Sequence, residues 1–329
     1  MLKYLLSFIA VISLFSSCKN NSTEYVPESS GNPYEIFIVA TKEQWNSPAG
    51  DTLRNILQQD VQWLNQQEPM FDLKNVEPSF FTNLITKHRN IIMIRTGADF
   101  PKTTVGASYD VNAAPQIIVY MDSPNTDSLA AYLHQKRNEI VELMDMTEQS
   151  RFVARMKSYP AKDVNEEVAK TFGINISIPY GYKIRNKIGD NFMWISYEMP
   201  LSSQGLFIYS YPYDSTRTIT AEYLTEMRNA FASNIPGPRE NTYMTTSTAY
   251  PPEVKNEIIN NRSWAVLRGF WDVYGDYMGG PFVSYSTLDK KNNRIFVIDE
   301  YVYSPKPSKG KRNYIKQLES IVKTISFPQ

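Results

Sequence analysis

The stretch FVSYSTLDKKNNRIFVIDEYVY, residues 282–303, decides the fold of the second half of the chain. Two runs rich in β-branched and aromatic residues, 282–288 and 294–303, flank a polar turn from Lys290 to Asn293. This pattern predicts an antiparallel β-hairpin. Working outward from it, we expect further strands over residues 175–178, 192–199, 206–211, 243–247 and 263–271.

Three helices accompany these predicted strands. The first covers residues 164–172 and stops at Gly173, and the second follows Thr220. The third presents one apolar face, formed by Ile315, Leu318, Ile321, Val322 and Ile325. Strands joined by short turns favour an antiparallel sheet with helices packed on it, so residues 161–329 are predicted to be an α+β domain.

The first half of the chain alternates strands and helices instead. Short apolar runs predict strands over residues 35–40, 71–76, 90–95 and 116–120. A helix is expected from Ser47-Pro48 to Leu64, and a longer one from Asp127 to just before Pro160. Residues 97–115 are predicted to form a loop or an irregular hairpin. Residues 33–160 are therefore predicted to form a small α/β layer, which makes the whole chain a mixed α/β and α+β protein.

The bulk composition is that of a globular protein. The chain has 329 residues, 42% of them hydrophobic, with 34 basic and 34 acidic side chains. A single hydrophobic core rarely extends over more than about 250–300 residues, and this chain is longer, so two domains are expected. The zero formal charge argues against nucleic acid as a partner, because nucleic-acid binding needs a basic face.

The N-terminal residues have the pattern of a targeting signal. Lys3 precedes an apolar stretch, residues 5–15, which is followed by Ser16-Ser17-Cys18. The stretch is too short to span a bilayer and resembles a bacterial lipoprotein signal. That resemblance implies removal of residues 1–17, lipid on Cys18 and anchoring in the cell envelope, with the outer membrane as the expected site on its periplasmic or surface face. Residues 18–32 are polar and are predicted to be a flexible tether.

Four segments of the second half carry a family resemblance: RGFWD (268–272), YMGGPFVSY (277–285), YSPK (303–306) and KRNYIKQLE (311–319). Together they resemble an uncharacterised lipoprotein family of the Bacteroidetes. The resemblance implies a Gram-negative envelope but no activity, so no functional residue follows from it. From about Asp163 onward, the order of elements is also similar to Mog1/PsbP-like α+β domains, which are mostly binding and assembly modules.

The sequence offers little for metal or cofactor chemistry. His88 and His134 are the only histidines, and they lie far apart without ligand spacing, so we expect both at the surface and no metal site. The segment GASYD, residues 106–110, lacks the second glycine of a nucleophile elbow. There is no Walker A loop and no GxGxxG, so no cofactor is expected.

The segment 264–285 is the best candidate for a functional surface. It combines aromatic, Arg and Gly residues, which are enriched at interface cores or allow close approach of a ligand. The candidate binding residues are Arg268, Trp271, Asp272, Tyr274, Tyr277, Gly279 and Gly280. The competing interpretation is that these aromatic residues pack inside the protein at a glycine-rich connection between strands. A basic run precedes the final helix and consists of Lys306, Lys309, Lys311, Arg312 and Lys316. Such a run can meet anionic lipid headgroups, but a solvated loop is expected.

Three functional hypotheses remain open. The first is a non-catalytic envelope module that binds a protein partner. The second is a small-molecule or glycan binder in which Trp271, Tyr274 and Tyr277 form a stacking platform. The third is a hydrolase that uses Asp272, Asp276 or Glu300, although carboxylates in solvated turns are common. The scarcity of catalytic residue patterns favours a protein that is not an enzyme. The ligand, the partner and the oligomeric state stay open.

Overall fold

The computed structural model describes residues 26–305 and 310–328. The predicted signal and Cys18 lie outside the described residues, as do Lys306 and Lys309. Within the described part, the chain forms two sheets and seven α-helices. The mixed fold class predicted from the sequence is confirmed.

The first sheet has five strands in the order β2-β1-β3-β5-β4. Their bounds are β1 Glu35–Val39, β2 Asp72–Val76, β3 Asn90–Thr96, β4 Thr104–Tyr109 and β5 Ile117–Ser123. All neighbours are parallel except β4 and β5. The central strands are buried apolar runs, as parallel strands require. The edge strand β4 occupies part of the predicted loop, because its polar and small residues give no apolar run.

Four helices belong to this half: α1 Lys42–Trp45, α2 Pro48–Leu57, α3 Thr126–Gln135 and α4 Arg137–Ser158. Helix α2 begins at the predicted position, with Pro48 after Ser47, but it ends at Leu57 rather than at Leu64. The single long helix predicted from Asp127 is wrong. Lys136 leaves helical geometry at φ −103° and ψ 18°, so the chain forms two helices there.

The second sheet is antiparallel throughout, in the order β10-β11-β12-β13-β8-β7-β6, and β9 pairs with the end of β11. Its strands are β6 Lys183–Ile188, β7 Phe192–Met199, β8 Ser202–Pro212, β9 Tyr243–Thr246, β10 Glu253–Ile259, β11 Arg262–Tyr274, β12 Gly279–Asp289 and β13 Arg294–Tyr303. The predicted hairpin is β12–β13, and this prediction is confirmed. Residues 175–178 contain only the bridge Asn175–Ser326, so the predicted strand there is wrong.

Three helices cover the second sheet: α5 Lys162–Phe172, α6 Ala221–Ala232 and α7 Lys311–Val322. Helix α5 ends at Gly173 with φ 70°, as predicted. Helices α5 and α7 contribute to one buried cluster, whereas α6 packs in a second, aromatic cluster. The first cluster also contains buried residues of the first sheet and of α4, so α7 packs against both halves of the chain.

The beginning of α7 is held by a residue from the first half. Glu68 is buried, and its carboxylate accepts hydrogen bonds from the backbone N–H groups of Gly310, Lys311 and Arg312 at 2.9, 3.0 and 3.2 Å. A carboxylate in this position satisfies donors that the first helical turn leaves free, and it complements the helix dipole. The Arg312 guanidinium also donates to Pro69 O at 2.7 Å. The expected solvated basic loop is therefore wrong for Lys311 and Arg312, which are both buried.

Further along α7, a chain of charged groups joins the two halves. Lys316 Nζ lies 3.2 Å from Asp145 of α4 and 3.2 Å from Glu319. Glu319 in turn accepts from Arg268 of β11. Burial alone would raise the pKa of Glu319, but Lys316 and Arg268 lower that pKa to about 2. Glu319 is thus ionised over the whole physiological range.

Glu300 on β13 has the opposite character. It lies on the same cross-strand row as Val283 and Arg268, and it is 0% exposed. Neither carboxylate oxygen has a hydrogen-bond partner among the described residues. Burial, reinforced by the negative charge of Glu319, raises the pKa of Glu300 well above its usual value. Glu300 is therefore a protonated core residue.

The first described residues are bound to the first sheet. Residues 27–30 exchange backbone hydrogen bonds with Ala114, Lys87 and Arg89 at 2.8–3.0 Å. Hydrogen bonds thus hold residues 27–30 of the predicted tether, residues 18–32, in place, whereas residues 18–25 lie outside the described residues. No helix in the described part of the chain is both long and apolar enough to cross a membrane.

His88 is buried beside this entry point, so its predicted surface location is wrong. Its Nε2 lies 2.9 Å from the Glu35 carboxylate, and its ring stacks on Phe37 at 3.8 Å. Glu35 also pairs with Lys74 at 2.6 Å. Burial alone would raise the pKa of Glu35, but the hydrogen bonds from Lys74 and His88 lower it to about 2. His88 thus packs against Phe37 and forms a hydrogen-bonded pair with Glu35.

We expect Glu68→Ala to lower the free energy of unfolding by about 2 kcal/mol, because three N–H groups of α7 lose a charged acceptor. Urea denaturation at pH 7 measures this. Glu142→Ala is the matched control, since Glu142 is exposed on α4, and it should change the free energy by less than about 0.5 kcal/mol. Equal effects of the two substitutions would contradict the proposed capping of α7.

We expect Glu300→Gln to stabilise the protein relative to wild type at pH 7 but not at pH 4. The folded state keeps Glu300 protonated, whereas the unfolded state ionises it above its ordinary pKa, so the wild-type penalty grows as the pH rises. The growth is at most about 1.4 kcal/mol per pH unit. Denaturation of both proteins at several pH values measures the difference. Parallel pH profiles would show that Glu300 is ionised in the fold.

Candidate functional site

The segment predicted to be functional borders an open cleft at one end of the second sheet. The cleft has a volume of about 760 Å³. Its walls are the end of β11, the following turn, the start of β12, residues 247 and 250, and Leu64 and Asn65 from the first half. Both halves of the chain therefore contribute to it.

Trp271 is part of the structural base of this cleft. Its side chain is 2% exposed, and its Nε1 donates to Val302 O at 3.1 Å. The ring also packs edge-on against Tyr301 at 5.6 Å. Trp271 cannot present its face to a ligand in this conformation, so it does not belong to the predicted stacking platform.

Gly279 and Gly280 allow neighbouring strands to pack closely. A Cβ atom at Gly280 would lie 2.2 Å from Val302 O, and one at Gly279 would lie 2.7 Å from Trp271 O. Both separations are too short for any side chain. These glycines allow the backbone to approach its neighbours closely, which supports the packing interpretation for these two positions.

Tyr274 and Tyr277 point outward. Tyr274 is 61% exposed and stacks on Tyr243 at 5.0 Å, while Tyr277 is fully exposed. Tyr250 was not predicted, but it is 60% exposed and packs edge-on against Phe270 at 5.4 Å. Tyr250 and Tyr277 line the cleft, and Tyr274 lies beside it at the end of β11. We call these three residues the tyrosine rim. Tyr250 could not be recognised from the sequence, because it belongs to a loop that only the fold brings close to this segment.

The carboxylates at the cleft do not form a hydrolytic pair with Glu300. Arg268 and Glu300 lie on the same row across the strands. Asp272 is four residues further along β11 than Arg268, so it is offset from that row by about 13 Å along the strand. Asp276 accepts from the Tyr277 N–H at 2.6 Å and from Arg239 at 2.7 Å. These contacts lower the pKa of Asp276, so it is poorly suited to donate a proton as a general acid.

Arg268 lies apart from the cleft. Its guanidinium pairs with Glu319 and, at 3.7 Å, with Glu257. It lines a smaller cavity of about 330 Å³ together with Lys316 and Glu319. Arg268 and Trp271 are three residues apart on β11. Because side chains alternate between the two faces along a strand, these two lie on opposite faces of the sheet. The seven predicted surface residues therefore do not form one continuous surface.

A second aromatic groove, of about 530 Å³, was missed by the sequence analysis. Its lining includes four tyrosines from three separate segments, Tyr159, then Tyr180 and Tyr182, and Tyr197. Tyr182 donates to Gln204 Oε1 at 2.9 Å, which fixes its ring. Because these residues come from separate segments of the chain, no local sequence motif indicates the groove.

Metal-ligand clusters are absent from residues 26–305 and 310–328, where no three His, Cys, Asp or Glu side chains converge. His134 is exposed on α3, as predicted.

Comparison with solved structures gives weak similarities at the level of the fold. One is the Ran-binding protein Mog1p of Saccharomyces cerevisiae, with 9% identity, a TM-score of 0.31, and 47% of this chain and 92% of that chain covered. Another is LpqN of Mycobacterium tuberculosis, described as involved in cell envelope biogenesis, with 12% identity, a TM-score of 0.28, and 47% and 83% covered. The similarity to Mog1 is weak and assigns no function.

No curated protein matches the chain in sequence. Two family matches cover most of it. Residues 29–157 match the family described as domain of unknown function DUF8532, and residues 161–324 match the domain of unknown function DUF4837. The expected similarity to domains of unknown function is found, while the expected Bacteroidetes origin stays a prediction. Residues 29–157 are thus similar to one uncharacterised family, and residues 161–324 to another.

Proposed function

We propose that the chain is a lipid-anchored protein of the cell envelope that acts by binding a protein partner through the tyrosine rim. The observation that carries the binding proposal is the exposure of three tyrosine rings, of which Tyr250 and Tyr277 line the cleft and Tyr274 lies beside it at the end of β11. Exposed tyrosines combine a large apolar ring with a hydroxyl group and are enriched in the energetic centres of protein interfaces.

The rim is already positioned for binding. Tyr274 is held by its stack on Tyr243, and Tyr250 is held by Phe270. Side chains that are fixed before association lose less conformational entropy when a partner binds. The rigid base beneath them, formed by Trp271 and the two close-approach glycines, adds to this preorganisation.

A second candidate function is glycan binding at the same cleft. The Asp272 carboxylate, Asn65 and Ser247 line the cleft beside Tyr277. A few convergent polar groups near an aromatic ring are the usual composition of a small-ligand site. The protein partner is preferred because the tyrosine rim faces solvent rather than enclosing the cleft.

The anchoring proposal rests on the sequence around Cys18, the only cysteine of the chain. We expect Cys18→Ser to abolish incorporation of labelled palmitate and to move the protein from the membrane to the soluble fraction, because acyl chains on this thiol hold it. Cell fractionation and acyl labelling measure this. Ser17→Ala is the control and should leave both unchanged. Membrane retention of the Cys18→Ser protein would refute anchoring by this residue.

We expect the double substitution Tyr274→Ala and Tyr277→Ala to weaken partner capture at least tenfold without changing thermal stability, because both side chains are exposed. Crosslinking in intact cells, followed by purification from membranes, measures capture. Tyr180→Ala is the matched control, since Tyr180 is 81% exposed in the second aromatic groove.

The same variants separate the two candidate functions. Loss of a crosslinked protein from the double variant, with retention by the Tyr180→Ala control, supports the protein partner. Loss of co-sedimentation with purified cell-wall glycan, measured on the same proteins, supports the glycan site instead. Unchanged binding in both assays would remove the tyrosine rim from the function.

A further inference from the structure

Most of the exposed large apolar side chains of the first half lie on segments that meet around Gln116 and Ala114. We call Val26, Leu84, Tyr109, Val111 and Met146 the entry patch, because their segments meet at the point where the described chain begins. An exposed apolar cluster of this kind marks a surface that contacts a partner or a membrane.

Hydrogen bonds hold the segments of the entry patch together. The side chain of Gln116 donates to Thr86 O at 2.7 Å and to His88 O at 2.8 Å, which ties the loop that carries Leu84 to β5. Gln116 Oε1 accepts from the N–H of Asn112 at 2.9 Å, beside Val111. Gln116 is itself buried, so this arrangement is rigid.

The beginning of the described chain is fastened to the same place. Ala114 N–H donates to Pro27 O at 2.8 Å, and Ser29 N–H donates to Ala114 O at 3.0 Å. Val26 directly precedes this pairing. Tyr109 and Met146 line one shallow cavity with Gln116, which joins α4 to the patch. The entry patch and the attachment point of any anchor on Cys18 are therefore one surface.

The distance from Cys18 limits how the protein can sit. Seven residues lie between Cys18 and Val26, so the eight steps of the chain reach at most about 29 Å when fully extended. A compact chain of 329 residues has a radius of gyration of about 20 Å and is about 50 Å across. Because the lead is shorter than the protein is wide, it favours orientations in which the face around Val26 lies near the bilayer.

We propose that the entry patch is the membrane-contacting surface of this protein, with Leu84 and Val111 entering the interfacial layer of the bilayer that holds the acyl chains. This inference rests on the proposed lipid anchor. Leu84 is 78% exposed and Val111 50% exposed, so both side chains are free to insert. Asp110, next to Val111, is exposed, and one of its carboxylate oxygens accepts from the Gln116 N–H at 2.7 Å.

The chain allows a direct test, because its only cysteine is the proposed acylation site. In the acylated full-length protein, a cysteine introduced by Leu84→Cys or Val111→Cys is then the sole free thiol for an environment-sensitive dye. Ile258→Cys is the matched control, since Ile258 is 72% exposed on the edge strand β10 of the second sheet. The proteins are reconstituted into vesicles of phosphatidylethanolamine and phosphatidylglycerol that carry brominated acyl chains.

We expect the dye at positions 84 and 111 to be quenched by the brominated lipid about threefold more than the dye at position 258, because interfacial apolar groups lie at the headgroup and acyl boundary. Adding Leu84→Asp to the Val111→Cys protein should reduce its quenching toward the control. Both results together support the proposal.

Two other outcomes overturn it, and they are distinguishable. Protein that floats with the vesicles but shows equal quenching at all three positions is anchored without using the entry patch. If dyes at 84 and 111 are also shielded from aqueous iodide in cells, a protein covers the patch instead. Protein that does not float with the vesicles refutes the lipid anchor itself, and with it the contact of the entry patch with the bilayer.

Discussion

Helix α7 can pack between the two halves of the chain only because partners from both halves neutralise its charged groups. Burying an unpaired charge is prohibitive, so Lys316 and Glu319 require each other and also require Asp145 and Arg268. Glu68 supplies the complementary acceptor for the first turn. The last helix of the chain is thereby tied to the loop before β2, to α4 and to β11.

This arrangement explains why the cleft is built from both halves. With α7 fixed, the loop that follows α2 lies over the end of β11, and Trp63 contacts Phe270 at 5.6 Å. Leu64 and Asn65 then form one wall of the cleft, opposite the turn that carries Tyr277. The wall that the first half contributes to the cleft is thus a consequence of how α7 docks.

The carboxyl groups near α7 show how burial separates chemically identical residues. Glu319 has two cationic neighbours and stays ionised, whereas Glu300 has no hydrogen-bonding partner among the described residues and stays protonated. A sequence pattern treats both as acidic residues that belong at the surface. Only the three-dimensional neighbours decide which charge state each one adopts.

Local sequence by itself determined the elements whose signals are short-range: the β12–β13 hairpin, the buried strands β1, β3 and β5, the start of α2 at Pro48, and the stop of α5 at Gly173. Hydrophobic period, proline and glycine act within a few residues, so they can be read along the chain. Tertiary structure alone decided the break at Lys136, the edge strands β4, β6 and β10, the burial of Trp271 and Lys311, and the assembly of the tyrosine rim. These features depend on contacts between residues far apart in sequence, and such contacts leave no local pattern.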